Sequence, residues 1–174
     1  MKVKYQLSEE DYIAFNKYHL NHSKVGKQKL LIVRWIGPVL FSCAVLLHAL
    51  ILGFDSIFMM VMMVMSVFWY YWYPARVEKE VGISVKKMLA EGDNKSFLAE
   101  QTLELLEIGA VLSNTFETQT MNWSTFIKVE KTDEHIFLFK SPIMAIVIPY
   151  QAFNKEKDYQ EFYDYLIQKI KENI

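Results

Sequence analysis

Charge is missing from one long stretch of this chain. Between Trp35 and Tyr73 there is no lysine or arginine, one acid, Asp55, and one histidine, His48. The mean hydropathy of +0.09 therefore averages two populations, an apolar middle and flanks charged like an ordinary globular protein. Cysteine is nearly absent. Cys43 stands alone, so no internal disulfide forms and the fold does not depend on an oxidising compartment. The net charge is −1, with no strongly basic segment, which excludes a general nucleic-acid binder. The opening MKVKYQLSEED lacks the apolar region of a signal peptide, so entry into a membrane is expected through the internal segment. No nucleophile elbow, P-loop, GxGxxG or paired-carboxylate string occurs, and the expectation is a non-enzyme without cofactor.

What is present begins with two apolar runs. Leu30 to Leu52 has 23 residues. As a helix it would reach ~34 Å, enough for a bilayer core of ~30 Å. Ile57 to Tyr73 has 17 uncharged residues, at the short end for a span. The link Gly53 to Ser56 suits a helix end followed by a new cap, so the reading is an antiparallel transmembrane hairpin over residues 30–73. The competing reading, two buried helices of a soluble protein, fits the flanks poorly. Lys17, Lys24, Lys27, Lys29 and Arg34 lie at the first end, and Arg76, Lys79, Lys86 and Lys87 follow the second, whereas the link has no Lys or Arg. By the positive-inside tendency both termini are cytoplasmic. Trp35 and the run Phe68 to Tyr73, with Trp69, Tyr70, Tyr71, Trp72 and Tyr73, fall at the same interface, where amphipathic rings reach both lipid and water. Pro74 marks where the helix is expected to kink or restart, opening a juxtamembrane helix over 74–93.

The flanks are expected to build one domain. Val3, Tyr5 and Leu7 alternate with polar residues as a short strand, which is unstable without a partner beyond the hairpin. Ser8 caps a helix with Glu9, Glu10 and Asp11 in its first turn, and Tyr12, Phe15 and His19 or Leu20 share one side. These elements make up 1–29. In the juxtamembrane helix Val77, Val81, Val85 and Met88 recur at helical spacing, and Gly92 suits its end. Residues 94–174 read as strands closed by a helix. Strands are predicted from Ser96 through Ile108 (Ala99, Leu103 and Leu105 sharing the parity of Phe97), over Val111–Gln119, Phe126–Lys131, Ile136–Lys140 and Met144–Ile148, with Gly109 in a turn and Pro149 closing the last. The final helix starts near Lys155 with a stripe of Tyr159, Phe162, Leu166 and Ile170. The fold class is α+β, a two-helix hairpin plus an antiparallel sheet or partly closed barrel with a C-terminal helix.

These parts, in this order, resemble the YcxB-like family of bacterial membrane proteins. The resemblance rests on SEEDYIAFNKYH, the second run ending in YP and a basic stretch, QTLELLEIG, NWSTFIKV, HIFLF and AIVIPYQAF. Trp123, Ile127, Pro149 and Phe153 fall at the positions most typical of it. It implies a C-terminal domain similar to a pleckstrin-homology-like barrel and a bacterial cytoplasmic membrane location. It implies no catalytic residue.

Several residue groups carry candidate chemistry. His19 and His22, three apart on a helix, have a spacing that suits a shared metal, with Glu10 or Asp11 completing it, but no further ligand string supports this and no metal site is assigned. His48 is an ionisable group within a span, near its outer end. Met59, Met60, Met62, Met63 and Met65 form a soft, adaptable helix surface suited to partner contact or a homo-oligomer. Lys24, Lys27, Lys29, Arg34, Arg76 and Lys79 are candidate contacts for anionic lipid headgroups. The functional expectation is a membrane-anchored, non-enzymatic adaptor that binds a protein or lipid at the cytoplasmic face. The alternative is a self-protection protein, similar to some immunity proteins, acting against membrane-active peptides. A third class, a transporter subunit using His48, would need several copies, since two helices enclose no pore.

Overall fold

A computed structural model describes residues 1–91 and 99–173. The chain divides into two compact units, one of residues 1–15 and 85–174, the other of residues 16–84. The expected helix end at Gly92 and the expected strand start at Ser96 and Phe97 lie outside the described residues.

The second unit contains two long helices. Helix α1 (Glu9–His22) starts in the first unit and ends at Ser23. There Ser23 caps helix α2 (Lys24–Leu52) by accepting a hydrogen bond from the Gly26 N–H at 2.9 Å. A side chain at Gly26 would collide with the Leu20 carbonyl, so glycine is what allows this tight change of direction. Asp55 then caps helix α3 (Ser56–Glu91), its carboxylate accepting from the N–H groups of Ile57 and Phe58. Helix α3 runs on through Pro74 for 36 residues and does not restart there. The turn before the proline is braced by ring stacking of Trp69 on Tyr73 (4.1 Å) and Phe68 on Trp72 (5.5 Å). That stacking holds the helical turn although the proline removes one backbone donor.

In the first unit the described residues form seven strands in two antiparallel sheets. One has the order β1 (Lys2–Gln6), β2 (Glu100–Leu105), β3 (Gly109–Ser113) and β4 (Thr118–Asn122). The other has the order β5 (Lys128–Lys131), β6 (His135–Ser141) and β7 (Met144–Pro149). The sheets do not close into a barrel. Strand β1 pairs with β2, Val3 opposite Leu103 and Tyr5 opposite Gln101, so the two ends of the sequence meet in one sheet. Helix α4 (Glu156–Asn173) buries Tyr159, Phe162, Leu166 and Ile170.

Three local expectations are corrected. The single strand expected over Val111–Gln119 is a hairpin, because the Asn114 side chain accepts from the Phe116 and Glu117 N–H groups and turns the chain. The strand expected from Phe126 begins at Lys128, after a short 3-10 turn over Trp123–Thr125. Met88 is exposed and Leu89 is buried, since a spacing of four from Val85 keeps Leu89 on the inner face of α3. Gly109 ends the β2–β3 turn and opens β3, where a Cβ would lie 2.0 Å from the Met121 carbonyl oxygen.

Strand β6 is the most buried element. Ile136, Phe137, Leu138 and Phe139 are each 2% exposed or less, so both faces are covered. Phe137 and Phe139 meet Phe15 of α1, with centroids at 5.6 and 6.1 Å. Trp123 is equally buried, and its indole N–H is shared between the carbonyls of Leu106 and Glu107 at 3.1 and 3.0 Å.

Candidate functional site

In the first unit, β1 is an edge strand, and beside it the N-terminal half of α4 leaves a groove of about 340 Å³. Its apolar side is made by Val3, Phe153 and Phe162, and its rim by Lys2, Asn154, Asp158 and Glu161. Phe153 is positioned by edge contacts with Tyr159 and Phe162, at 5.3 and 5.2 Å, so α4 fixes the groove wall. Edge strands carry backbone donors and acceptors outward, and with an apolar floor they suit an extended peptide. Asp158 and Glu161 put two carboxylates one turn apart on the α4 rim, Glu161 also pairing with Lys157 at 3.4 Å, which suits a basic residue in that peptide.

A second polar arrangement ties α1 to β6. His135 Nε2 lies 2.7 Å from Asp11 Oδ1, and both side chains are largely buried. The other Asp11 oxygen accepts from the Ser8 N–H and hydroxyl, each at 2.7 Å. Burial pushes the Asp11 carboxyl up, but the Ser8 N–H, His135 and the Ser8 hydroxyl together outweigh it and hold it below its ordinary value. Burial also pushes the Tyr12 phenol up to about 12, with the Asp11 charge adding to it. Tyr159 is likewise raised by burial and then by Asp133, and its hydroxyl donates to the Thr132 carbonyl.

The family-typical positions separate. Trp123 is core, and Pro149 is buried opposite His135 at the end of β7. Ile127 is exposed, whereas Phe153 is half-buried and lines the groove.

In the second unit, Lys24, Lys27, Lys29 and Lys79 are exposed. The Arg34 guanidinium lies 5.1 Å from the Tyr70 ring centre, and Arg76 lies 5.8 Å from that of Trp72 while pairing with Glu80. Trp35 meets Tyr70 edge-on at 5.5 Å, and Tyr71 and Trp72 are exposed. Trp69 faces α2, its indole N–H donating to the Val33 carbonyl at 3.1 Å, and Tyr73 stacks on it. Further along, a groove of about 620 Å³ is lined by Phe41, Val45, Met59, Met62 and Met63. His48 stacks on Phe58 at 4.2 Å. His22 stacks on Tyr18 and its Nδ1 meets the Tyr18 carbonyl, and among the described residues no group of three His, Cys, Asp or Glu is arranged to hold a metal. Cys43 is exposed on α2.

Sequence reasoning missed the Asp11–His135 contact and the Trp69–Val33 hydrogen bond, since both join segments distant in the chain. It also missed the turn at Asn114, for which the string SNTFE was an available signal.

The arrangement defines an α+β protein with two helices long and apolar enough to cross a membrane and a domain of two antiparallel sheets closed by a helix. Residues 108–166, about a third of the chain, match the family model described as YcxB-like protein. No curated protein and no solved structure matches the chain.

Proposed function

We propose that this protein is a non-enzymatic adaptor anchored in a bacterial cytoplasmic membrane by two spans, with both termini in the cytoplasm. The apolar windows of α2 and α3 are only 6% and 0% buried, which supports lipid as their surroundings. Leaving such side chains in water would cost roughly 1.5–3 kcal/mol for each large one. Four strands, then three, then a helix support a pleckstrin-homology-like reading of the first unit. The carrying observation is the groove between β1 and α4, with its apolar floor and the acids Asp158 and Glu161. Its partner is an unidentified protein segment that adds alongside β1 and bears a basic residue. Tethering raises local concentration, so a weak contact suffices. Anionic headgroups near Lys24, Lys27, Lys29, Arg34, Arg76 and Lys79 are secondary contacts of the anchor.

The test is photo-crosslinking in intact cells with probes replacing Phe153, Glu161 and Met62. A discrete protein captured at Phe153 and Glu161, and lost on charge reversal of Asp158, supports the adaptor. No capture above background at both groove positions overturns it. The self-protection reading is favoured by a separate observation, the Met-lined groove between α2 and α3. It requires that deletion sensitise cells to a membrane-active peptide, and a homo-oligomer would show as self-capture at Met62.

A further inference from the structure

The turns at one end of the first unit carry side chains that turns in water rarely carry. The β3–β4 turn presents Phe116, 62% exposed. The β6–β7 turn presents Ile143 and Met144, 69% and 56% exposed. Turns favour Gly, Asn, Asp, Ser and Pro, so three large apolar groups at two tips need a reason. The two turns belong to different sheets, yet they lie at the same end. Lys140, next to the second turn, donates to the Gln119 side chain, two residues beyond the first, at 3.4 Å.

The first segment of the unit also leaves it at this end. Along α1, Asp11 meets His135 at the start of β6, and Phe15 meets Phe137 and Phe139 further along. Helix α1 thus climbs β6 towards the 141–144 turn, and the unit's first segment ends at Phe15. From Phe15 the chain continues through the rest of α1 into α2, one of the two helices of membrane-spanning length.

We propose that the 114–117 and 141–144 turns dip Phe116, Ile143 and Met144 into the bilayer interface, giving this unit a direct lipid contact in addition to the two spans. The inference rests on the reading that α2 and α3 cross a membrane. The driving force is apolar. Lys140 contributes one positive charge at the tips, Glu117 one negative, and Lys128 is paired with Glu130 at 3.1 Å. Contact with lipid is therefore insensitive to salt, unlike binding by a basic patch.

The test uses the full chain carrying Cys43→Ser, reconstituted in nanodiscs of phosphatidylcholine and phosphatidylglycerol. An environment-sensitive fluorophore is placed through Phe116→Cys, Ile143→Cys, Glu161→Cys or Leu46→Cys, one at a time. Phosphatidylcholine bearing a nitroxide near the top of its acyl chain is the quencher. The expected result is loss of most emission at positions 116 and 143, equally at low and high salt, with little loss at 161. Unquenched emission at 116 and 143 beside a quenched probe at 46 overturns the inference and leaves the membrane reading standing. A blue-shifted but unquenched signal at the tips also overturns it, and assigns them to a protein or a second copy. An unquenched probe at 46, with nitroxide placed deep in the chain, removes the membrane reading and the inference together.

Discussion

Asp11 and His135 form a contact of 2.7 Å between the first turn of α1 and the first residue of β6. It is the polar counterpart of the ring packing of Phe15 on Phe137 and Phe139. Together they bind the N-terminal helix to the most buried strand.

This contact makes stability depend on acid. The Asp11 carboxyl is held below its ordinary value of 3.8, so its contribution is complete above that value and is lost as pH falls through the lower folded value. Asp11→Asn should cost about 1–3 kcal/mol near neutral pH, because His135 and Ser8 lose a charged acceptor. Denaturant melts from pH 7 down to pH 2 check this. The wild-type and variant curves should converge at the acid end, and a constant gap would contradict the assignment.

Gly37 and Trp69 lock α2 to α3. A Cβ on Gly37 would lie 2.3 Å from the Trp69 Cγ, so Gly37→Ala displaces the indole and breaks its bond to the Val33 carbonyl. Overpacking of this kind costs about 1–3 kcal/mol. Trp69 emission should shift to the red in detergent or lipid. Trp69→Phe should loosen the pair less, as it removes only the hydrogen bond and part of the ring.

Removing residues 1–7 deletes β1 and leaves β2 as an unpaired edge over Leu103 and Leu105, both buried in the intact chain. Such an edge invites aggregation. The expected outcome by size-exclusion chromatography in detergent is high-mass material, with restoration when residues 1–7 are put back. A monodisperse, fully stable deletion would show that β1 contributes little.

Trp123 fills the core and also serves two carbonyls through one N–H. Trp123→Ala should cost about 3–5 kcal/mol from the cavity alone. Trp123→Phe keeps most of the volume and should cost less, at roughly the value of a buried hydrogen bond, 1–3 kcal/mol. Thermal melts of the two variants separate packing from polar satisfaction.

Much of the architecture was legible along the chain because local patterns report burial. The stripe Tyr159, Phe162, Leu166 and Ile170 repeats at helical spacing and is buried in α4 as one face. The run Ile136–Phe139 is apolar at every position, which a strand covered on both sides requires. Other features were hidden. Pro74 suggested a break, yet neighbouring ring stacks hold α3 through it, and stacking geometry is not written in a hydropathy pattern. Asn114 turned a predicted strand into a hairpin through its own side chain. The barrel-like expectation gave way to two sheets because strand count alone does not specify which edges join.

By itself, the sequence determined the apolar helices, the buried stripe of the last helix, the fully apolar strand Ile136–Phe139 and the need of the N-terminal strand for a distant partner. These follow from hydrophobic spacing within a few turns of chain. Only the tertiary structure decided that Asp11 meets His135, that Val3 and Phe153 share a groove, and that Phe116 and Ile143 stand at one end of the unit. Each of these joins segments separated by a loop, a sheet or the whole hairpin. Their proximity is set by packing of the complete chain, which no local pattern encodes.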